Sequence, residues 1–269
     1  MTISYQSGAT VGSLLTESKL GDPAEVLASL VTAKPLSLES SIPLAEILML
    51  EGAYKRAKAH LNIAQTCTPG EQFAISKMRW LLCATEARLS WYEKSAVPTF
   101  SDVPPQDQRD AMRLSLFVRS GAAESARAPR EQMEIEPPRE FSADGAAPAP
   151  LRDICDLSAP GFEALALDGR FFWIAPEHIS QIQFRPITRP RDLLRHKVET
   201  PLTVGREGIL FLVAQSCDSF ANDAEQVAKT NNWKKVAGGV TRGRGQRTYL
   251  VSEEDRGILD IEHMTRKTV

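Results

Sequence analysis

From Val11 to about Glu131 the apolar positions recur every three or four residues, the spacing that lines them up on one face of a helix. In Ile42–Ala64 the stripe is Ile42, Ala45, Leu48, Met49, Ala53, Ala57, Leu61 and Ala64. In Lys77–Glu93 it is Met78, Leu81, Leu82, Thr85, Leu89 and Tyr92. Gly52-Ala-Tyr-Lys-Arg-Ala57 and Gly121-Ala-Ala-Glu-Ser-Ala126 share one form, a glycine after an apolar helix and an alanine five residues on. Helices often stop on a left-handed residue where a Cβ would clash, so glycine marks the turn and alanine allows the next helix to pack closely. Gly21-Asp22-Pro23 is a looser instance, with proline suited to the first turn of a helix. The glycines lie 31 residues apart (21 to 52) and then 69 apart (52 to 121). The second interval is about two periods of 34, the tetratricopeptide repeat. Residues 1–128 are therefore expected as degenerate tetratricopeptide-like hairpins, with a missing copy turning near Ala84–Arg88. A solenoid of this kind presents a concave surface for a peptide or helix.

The pattern then changes period. Pro129, Pro137, Pro138, Pro148 and Pro150 disfavour helix and mark residues 129–157 as a Pro/Ala-rich linker. Residues 158–269 read as a small β-rich, barrel-like α+β domain that opens on the hairpin Phe162–Ala175. Its turn, Asp168-Gly169, suits a type I′ connection. Leu165 and Leu167 alternate with Ala164 and Ala166, whereas Phe171-Phe-Trp-Ile174 is apolar on both faces. A strand of that kind is covered on both sides, so the hairpin is expected mainly as core, with an exposed binding platform as the alternative. Further strands are predicted at Ser180–Pro186, Gly208–Ala214, Trp233–Gly238, Arg247–Val251 and Ile258–Ile261, with a short helix through Ala221–Thr230. The whole is an α+β chain of two parts.

Composition narrows the function. With 32 basic and 34 acidic side chains in 269 residues, there is no overall field to hold nucleic acid or an anionic membrane. Cys67, Cys83, Cys155 and Cys217 are dispersed, which speaks for reduced, packed thiols rather than a disulfide framework or a zinc site. The start of the chain lacks a basic segment followed by an apolar run. Its longest apolar run, Ile209–Ala214, falls far short of the ~20 residues of a membrane span. The cytoplasm is the expected compartment. No P-loop or dinucleotide fingerprint is present, and Gly238–Gly245 lacks their spacing. Arg242, Arg244 and Arg247 could touch RNA weakly, yet no aromatic residues interleave with them. His60, His178, His196 and His263 stand alone, without a second ligand at metal spacing. No catalytic residue, metal site or cofactor is assigned, and the chain is not expected to be an enzyme.

At Glu163-Ala164 through Asp168-Gly-Arg-Phe-Phe-Trp-Ile-Ala-Pro176 the sequence resembles the ImpE/SciE family, also called TagJ, accessory proteins of bacterial type VI secretion. The likeness continues at Val227-Ala-Lys-Thr-Asn-Asn-Trp233 and Gly243-Arg-Gly-Gln-Arg247, and the opening Leu14–Leu27 fits the family's first helical hairpin. Ala159-Pro160 and Val213-Ala-Gln-Ser-Cys217 depart from the family pattern. The resemblance implies a non-catalytic adaptor that binds the N-terminal helix of the small contractile-sheath subunit and is linked to the ATPase that recycles the sheath. Phe171, Trp173, Trp233, Gln246 and Arg247, all within the family-like motifs, are the candidate partner contacts. A tetratricopeptide-like scaffold for an unrelated protein is the alternative.

Overall fold

The computed structural model describes residues 38–67, 70, 72–94, 96–135, 139–201, 208–219, 223–251 and 254–267. The Gly21 turn and the Leu14–Leu27 hairpin lie outside the described residues. The structure is an α+β arrangement, with a helical region followed by a curled sheet that forms half of a barrel.

The first described helices, α1 (Leu38–Leu50) and α2 (Tyr54–Cys67), turn at Gly52, whose φ is 73°. There Gly52 N donates to Met49 O and Ala53 N to Leu48 O, at 3.2 and 2.7 Å. Helices α4 (Gln106–Ser120) and α5 (Ala123–Ile135) repeat the device at Gly121, φ 72°, whose left-handed cap closes on Val118 O and Phe117 O. Both glycine turns thus stand where the motif places them. Between the pairs, α3 runs unbroken from Gln72 to Glu93, so the expected turn near Ala84–Arg88 does not exist. Nothing in that stretch breaks a helix, and Ala84 and Arg88 are both buried along it.

Among the described residues, 129–135 and 139–157 do not form a linker. Helix α5 continues through Pro129, which is buried, and the segment supplies strands β2 (Glu140–Ala143) and β3 (Ala149–Asp153). Pro150 pairs with Glu140 of β2 on one side, while on the other the ladder from β3 to β11 begins only at Leu151, so no ladder partner there calls for its missing N–H. The large sheet also contains β1 (Thr99–Phe100), β4 (Phe162–Leu165), β5 (Phe171–Ile174), β6 (Gln181–Phe184), β7 (Arg195–Thr200), β8 (Gly208–Val213), β11 (Thr248–Val251), β12 (Glu254–Gly257) and β13 (His263–Arg266). Its order is β1-β5-β4-β8-β7-β6-β13-β2-β3-β11-β12, while β9 (Asn231–Lys235) and β10 (Thr241–Gly245) form a separate ribbon. Helix α6 is short, Asp223–Gln226. Ile258–Asp260, expected as a strand, is a single 3-10 turn between β12 and β13.

The hairpin β4–β5 pairs Phe162 with Ile174, Glu163 with Trp173, Ala164 with Phe172 and Leu165 with Phe171. Its turn differs from the expected type I′. Gly169 alone has positive φ, at 86°, and its N–H donates to Ala166 O while Ala166 N–H donates to Arg170 O. That is a turn followed by one left-handed glycine, the three-residue alternative for hairpins. The two faces of the hairpin go to different cores. Phe162, Ala164 and Ile174 pack inside the curl with Phe141, Ile182, Leu212, Tyr249 and Met264. Leu165, Phe171 and Trp173 pack outward on Leu81, Ala84, Trp91, Tyr92, Ala111 and Leu114 of α3 and α4. The apolar run on both faces of β5 is therefore explained by a sheet clamped between its own interior and the helices, and β1 from the helical region adds a parallel pairing to its edge.

Candidate functional site

The outward face of the hairpin carries one acid, Glu163, across from Trp173, and it is buried. Four donors converge on it. Arg88 Nε reaches Oε2 at 2.8 Å, the Tyr92 hydroxyl reaches Oε1 at 2.5 Å, and Trp173 Nε1 donates to Oε1 at 3.2 Å. Arg247 Nη2 completes the set on Oε2. Arg247 also donates through Nη1 to Asp153 Oδ2 at 2.6 Å, and Asp153 is held by the Ser158 hydroxyl and the Cys155 amide, each at 2.9 Å. Arg88 extends its Nη2 to the carbonyl of Gln215 at 3.0 Å. Two arginines and two carboxylates are thus buried together, with one arginine and the tyrosine from α3 and the rest from the sheet region.

Burial alone would push the Glu163 carboxyl up, but the guanidinium groups of Arg88 and Arg247, with the Tyr92 hydroxyl, outweigh it and hold it below the ordinary value. Asp153 goes the other way, because burial dominates over the pull of Arg247. The cluster consumes all of its side-chain acids and bases in one another. Its chemical capacity is cohesion between the helices and the sheet, the role in which a buried pair is costly to break. A second tie of the same kind lies nearby, where Arg139 joins Asp107 of α4 at 2.5 Å to Glu177 at 2.6 Å.

The motif residues divide accordingly. Phe171, Trp173 (2% exposed) and Arg247 (2%) are interior, so none of the three offers a surface to a partner in this conformation. They pack or bond at the helix–sheet boundary. Gln246 is half-buried and donates to Ala228 O at 2.9 Å. Only Trp233, 48% exposed on β9, lies open to solvent. Glu163 and Trp173 of the hairpin meet Arg247, 84 residues beyond Glu163, at the cluster; Trp233 does not join them. Sequence reasoning missed Arg88, which sits seven residues after Leu81 on the buried side of α3, a charged residue in an apolar stripe. The departing segment Val213–Cys217 meets the cluster through the Gln215 carbonyl, a contact that any residue there can make. Pro160, next to the departing Ala159, likewise offers its carbonyl, 3.4 Å from Gln108 Nε2.

The arginines weighed for RNA are paired with acids. Arg242 bonds Asp218 at 3.1 Å, Arg244 bonds Glu225 at 3.0 Å, and Arg247 is in the cluster. The glycine-rich segment between them is strand β10. Gly245 has φ 74°, and a Cβ there would lie 1.9 Å from Thr230 O. Gly245→Ala is expected to cost about 2–3 kcal/mol from left-handed strain and overpacking together, read as a lowered urea midpoint; an unchanged midpoint would show that the β10 backbone moves freely here.

One concave surface joins the two regions. A groove of about 570 Å³ runs between α1 and α3 on one side and Arg185–Asp192, β7 and β8 on the other. Ile42, Met78, Leu81, Leu167 and Phe211 supply apolar lining, and the charged lining is mostly basic, with Lys77, Arg185, Arg189, Arg191 and Lys197 against Asp192 and Glu199; the Lys77 ammonium sits 4.1 Å from the Phe73 ring centre. Its wall is stiffened by Arg189 and Arg191, which grip the buried Glu46 at 2.8 and 3.2 Å. Burial raises the Glu46 carboxyl in spite of these arginines. Arg185 is paired with Glu199; among the described residues no carboxylate lies within ion-pair distance of Lys77 or Lys197. No group of three His, Cys, Asp or Glu among the described residues could hold a metal ion. No described helix is long and apolar enough to cross a membrane.

These features define an α+β protein whose hairpin motif binds the helices to a curled sheet through a buried ion cluster, with a groove of apolar and mostly basic lining between them. Residues 145–265 match the family model described as ImpE protein, a type VI secretion associated family, and the recognition made from the hairpin motifs stands over these residues. No curated protein matches the chain. Among solved structures, the crystal structure of protein VPA1032 from Vibrio parahaemolyticus superposes with a TM-score of 0.89 at 21% identity, covering 97% of this chain and 98% of that one. At that identity the likeness concerns the fold.

Proposed function

We propose that this chain is a non-catalytic accessory protein of type VI secretion that acts as an adaptor, taking the N-terminal helix of the small sheath subunit into the groove between α1, α3 and β7 and connecting the sheath to its recycling ATPase. The observation that carries the reading is the groove itself, lined by apolar and mostly basic side chains, beside a hairpin that carries the family motif. An amphipathic helix placed in such a cleft buries its apolar face and meets the basic lining with acidic side chains. The buried cluster supports the same reading, because it fixes helices and sheet as the two walls of one cleft.

The test is a pull-down with the cognate small sheath subunit, with and without its first helix, alongside the double variant Lys77→Glu, Lys197→Glu. Capture is expected to require the helix and to fall roughly tenfold or more in the charge-reversed protein, about 1.4 kcal/mol or more. Equal recovery of the two sheath forms would reject helix recognition. The glycine-turned hairpins at Gly52 and Gly121 favour a second reading, a tetratricopeptide-like scaffold for another partner, which predicts no capture of either sheath form.

A further inference from the structure

The ribbon β9–β10 has one edge taken and one edge open. Val236 N donates to Val240 O and Gln246 N to Thr230 O, both at 2.8 Å, and between them the register pairs Lys234 with Arg242 and Asn232 with Arg244. Alternate pairs of an antiparallel ladder exchange hydrogen bonds, so Asn232 and Lys234 turn their main-chain groups inward to β10. Thr241 and Gly245 turn theirs away from β9, where the body of the protein meets them. Thr241 N donates to Asp156 Oδ2 at 2.7 Å and Asp156 N to Thr241 O at 2.9 Å. Gly245 N donates to Ser219 Oγ at 3.0 Å, and its carbonyl accepts from Ser216 N at 2.9 Å. Across the ladder, Asn231, Trp233 and Lys235 turn the same groups outward on the far edge, and all five residues of β9 are exposed. Among the described residues no strand pairs with that edge. The Trp233 amide is met only by the side chain of its neighbour, Asn232 Oδ1, at 2.8 Å.

We propose that the outer edge of β9 takes an extended acidic peptide as a further strand, with aliphatic side chains on the Trp233 face and carboxylates on the other. An open edge offers donors and acceptors at the spacing that an added strand needs. The side chains define which strand fits. Trp233 lies across from Gly243, and Asn231 across from Gly245, so no cross-strand side chain covers the indole, which is 48% exposed. On the opposite face stand Lys234, Arg242 and Arg244, balanced only by Asp218 and Glu225, and Asp218 serves both Lys234 and Arg242. From Lys229 to Arg247 the chain carries Lys229, Lys234, Lys235, Arg242, Arg244 and Arg247 and no Asp or Glu. Two copies joined edge to edge through β9 would bring these like charges together, whereas an acidic strand is drawn to them. No residue of β9 lines the groove, so this surface stands apart from the adaptor reading and does not rest on it.

The probe is a fluorescein-labelled peptide of about seven residues, a strand's length, alternating glutamate with valine and leucine. It is titrated into the full chain and read by fluorescence polarisation. Saturable micromolar binding is expected, weakening as salt rises, with slowed amide exchange across Asn231–Lys235. Methylating one alternate set of the peptide's amide nitrogens should abolish binding and methylating the other set should spare it, because a strand pairs through one edge. A peptide of the same composition with its glutamates in one block should bind roughly tenfold more weakly or worse. Trp233→Ala should cost roughly tenfold. Lys235→Pro, which removes an outward N–H, should abolish binding, while Lys235→Ala keeps most of it. Far-ultraviolet circular dichroism confirms the fold of each variant. The groove variant Lys77→Glu, Lys197→Glu should bind the peptide as wild type does, and Trp233→Ala should still capture the sheath helix, so the two surfaces fail separately. The proposal is overturned if the alternating peptide does not bind, or if the blocked peptide or both methylated peptides bind as well as it does. It is equally overturned if a single-stranded oligouridine binds this edge more tightly, or if sedimentation shows a dimer that Trp233→Ala dissociates.

Discussion

Glu163→Ala is expected to destabilise the fold by about 3–5 kcal/mol, the loss typical of breaking a buried ion pair from one side. The substitution removes the acceptor of four donors and strands the Arg88 and Arg247 guanidinium groups, both buried, with only Asp153 left to balance two charges. Arg88 and Tyr92 come from α3, and Arg247 and Trp173 from the sheet region, so the loss is expected to loosen the helices from the sheet rather than unravel either alone. Urea unfolding followed by far-ultraviolet circular dichroism and by tryptophan fluorescence measures it; a loss below about 1 kcal/mol, the range of an exposed pair, would refute the cluster as the fastening. Glu163→Gln separates charge from shape. The native carboxyl is held below its unfolded value by Arg88 and Arg247 against the effect of burial. Its charge therefore stabilises the fold fully above the unfolded value of about 4.3 and ceases to as pH falls through the lower folded one. The gap between wild type and Glu163→Gln should close in acid. Asp153, raised chiefly by burial and also by the Glu163 charge, contributes with the opposite sign, and less strongly in Glu163→Gln, where that charge is gone.

How far the sequence foretold this follows from which physical signals are local. The apolar run on both faces of β5 announced two coverings, and the glycines at 52 and 121 announced two helix turns, because periodicity and left-handed backbone are local properties. What failed was long-range. The prolines of 129–157 read as a linker, yet Pro150 fits β3, paired with Glu140 on one side while the β11 ladder on the other begins only at Leu151. Strand β7 is Arg-His-Lys-Val-Glu-Thr, too polar to read as a strand, because Arg195 and His196 are buried by elements distant in sequence. The Arg-Gly segment, absent from the predicted strands, is β10, whose Arg242 and Arg244 find Asp218 and Glu225. The site was half legible: the hairpin and Gly243–Arg247 motifs were singled out, but the reason they meet in the fold, a shared buried carboxylate, needs Arg88 and the fold to be seen.

That reason bears on Trp173, for which the replacement Trp173→Ala is expected to cost about 3–5 kcal/mol, the range for truncating a buried aromatic. Its ring meets Trp91 edge to face at 5.3 Å and Phe100 at 6.5 Å, and such pairs add to the area they bury. Its indole nitrogen also holds Oε1 of Glu163. Trp173→Phe keeps most of the packing and removes that donor, while the Tyr92 hydroxyl still serves the same oxygen, so its loss should be about 1–2 kcal/mol. Urea midpoints give both numbers. The pair also decides between an interior and a partner-facing role for the hairpin. An interior Trp173 predicts that folded Trp173→Phe captures the sheath helix as well as wild type, whereas a tryptophan that touches the partner would lose capture while the protein stays folded. The second result would move the binding surface from the groove to the hairpin and require the helices to part from the sheet, which the Glu163 cluster opposes.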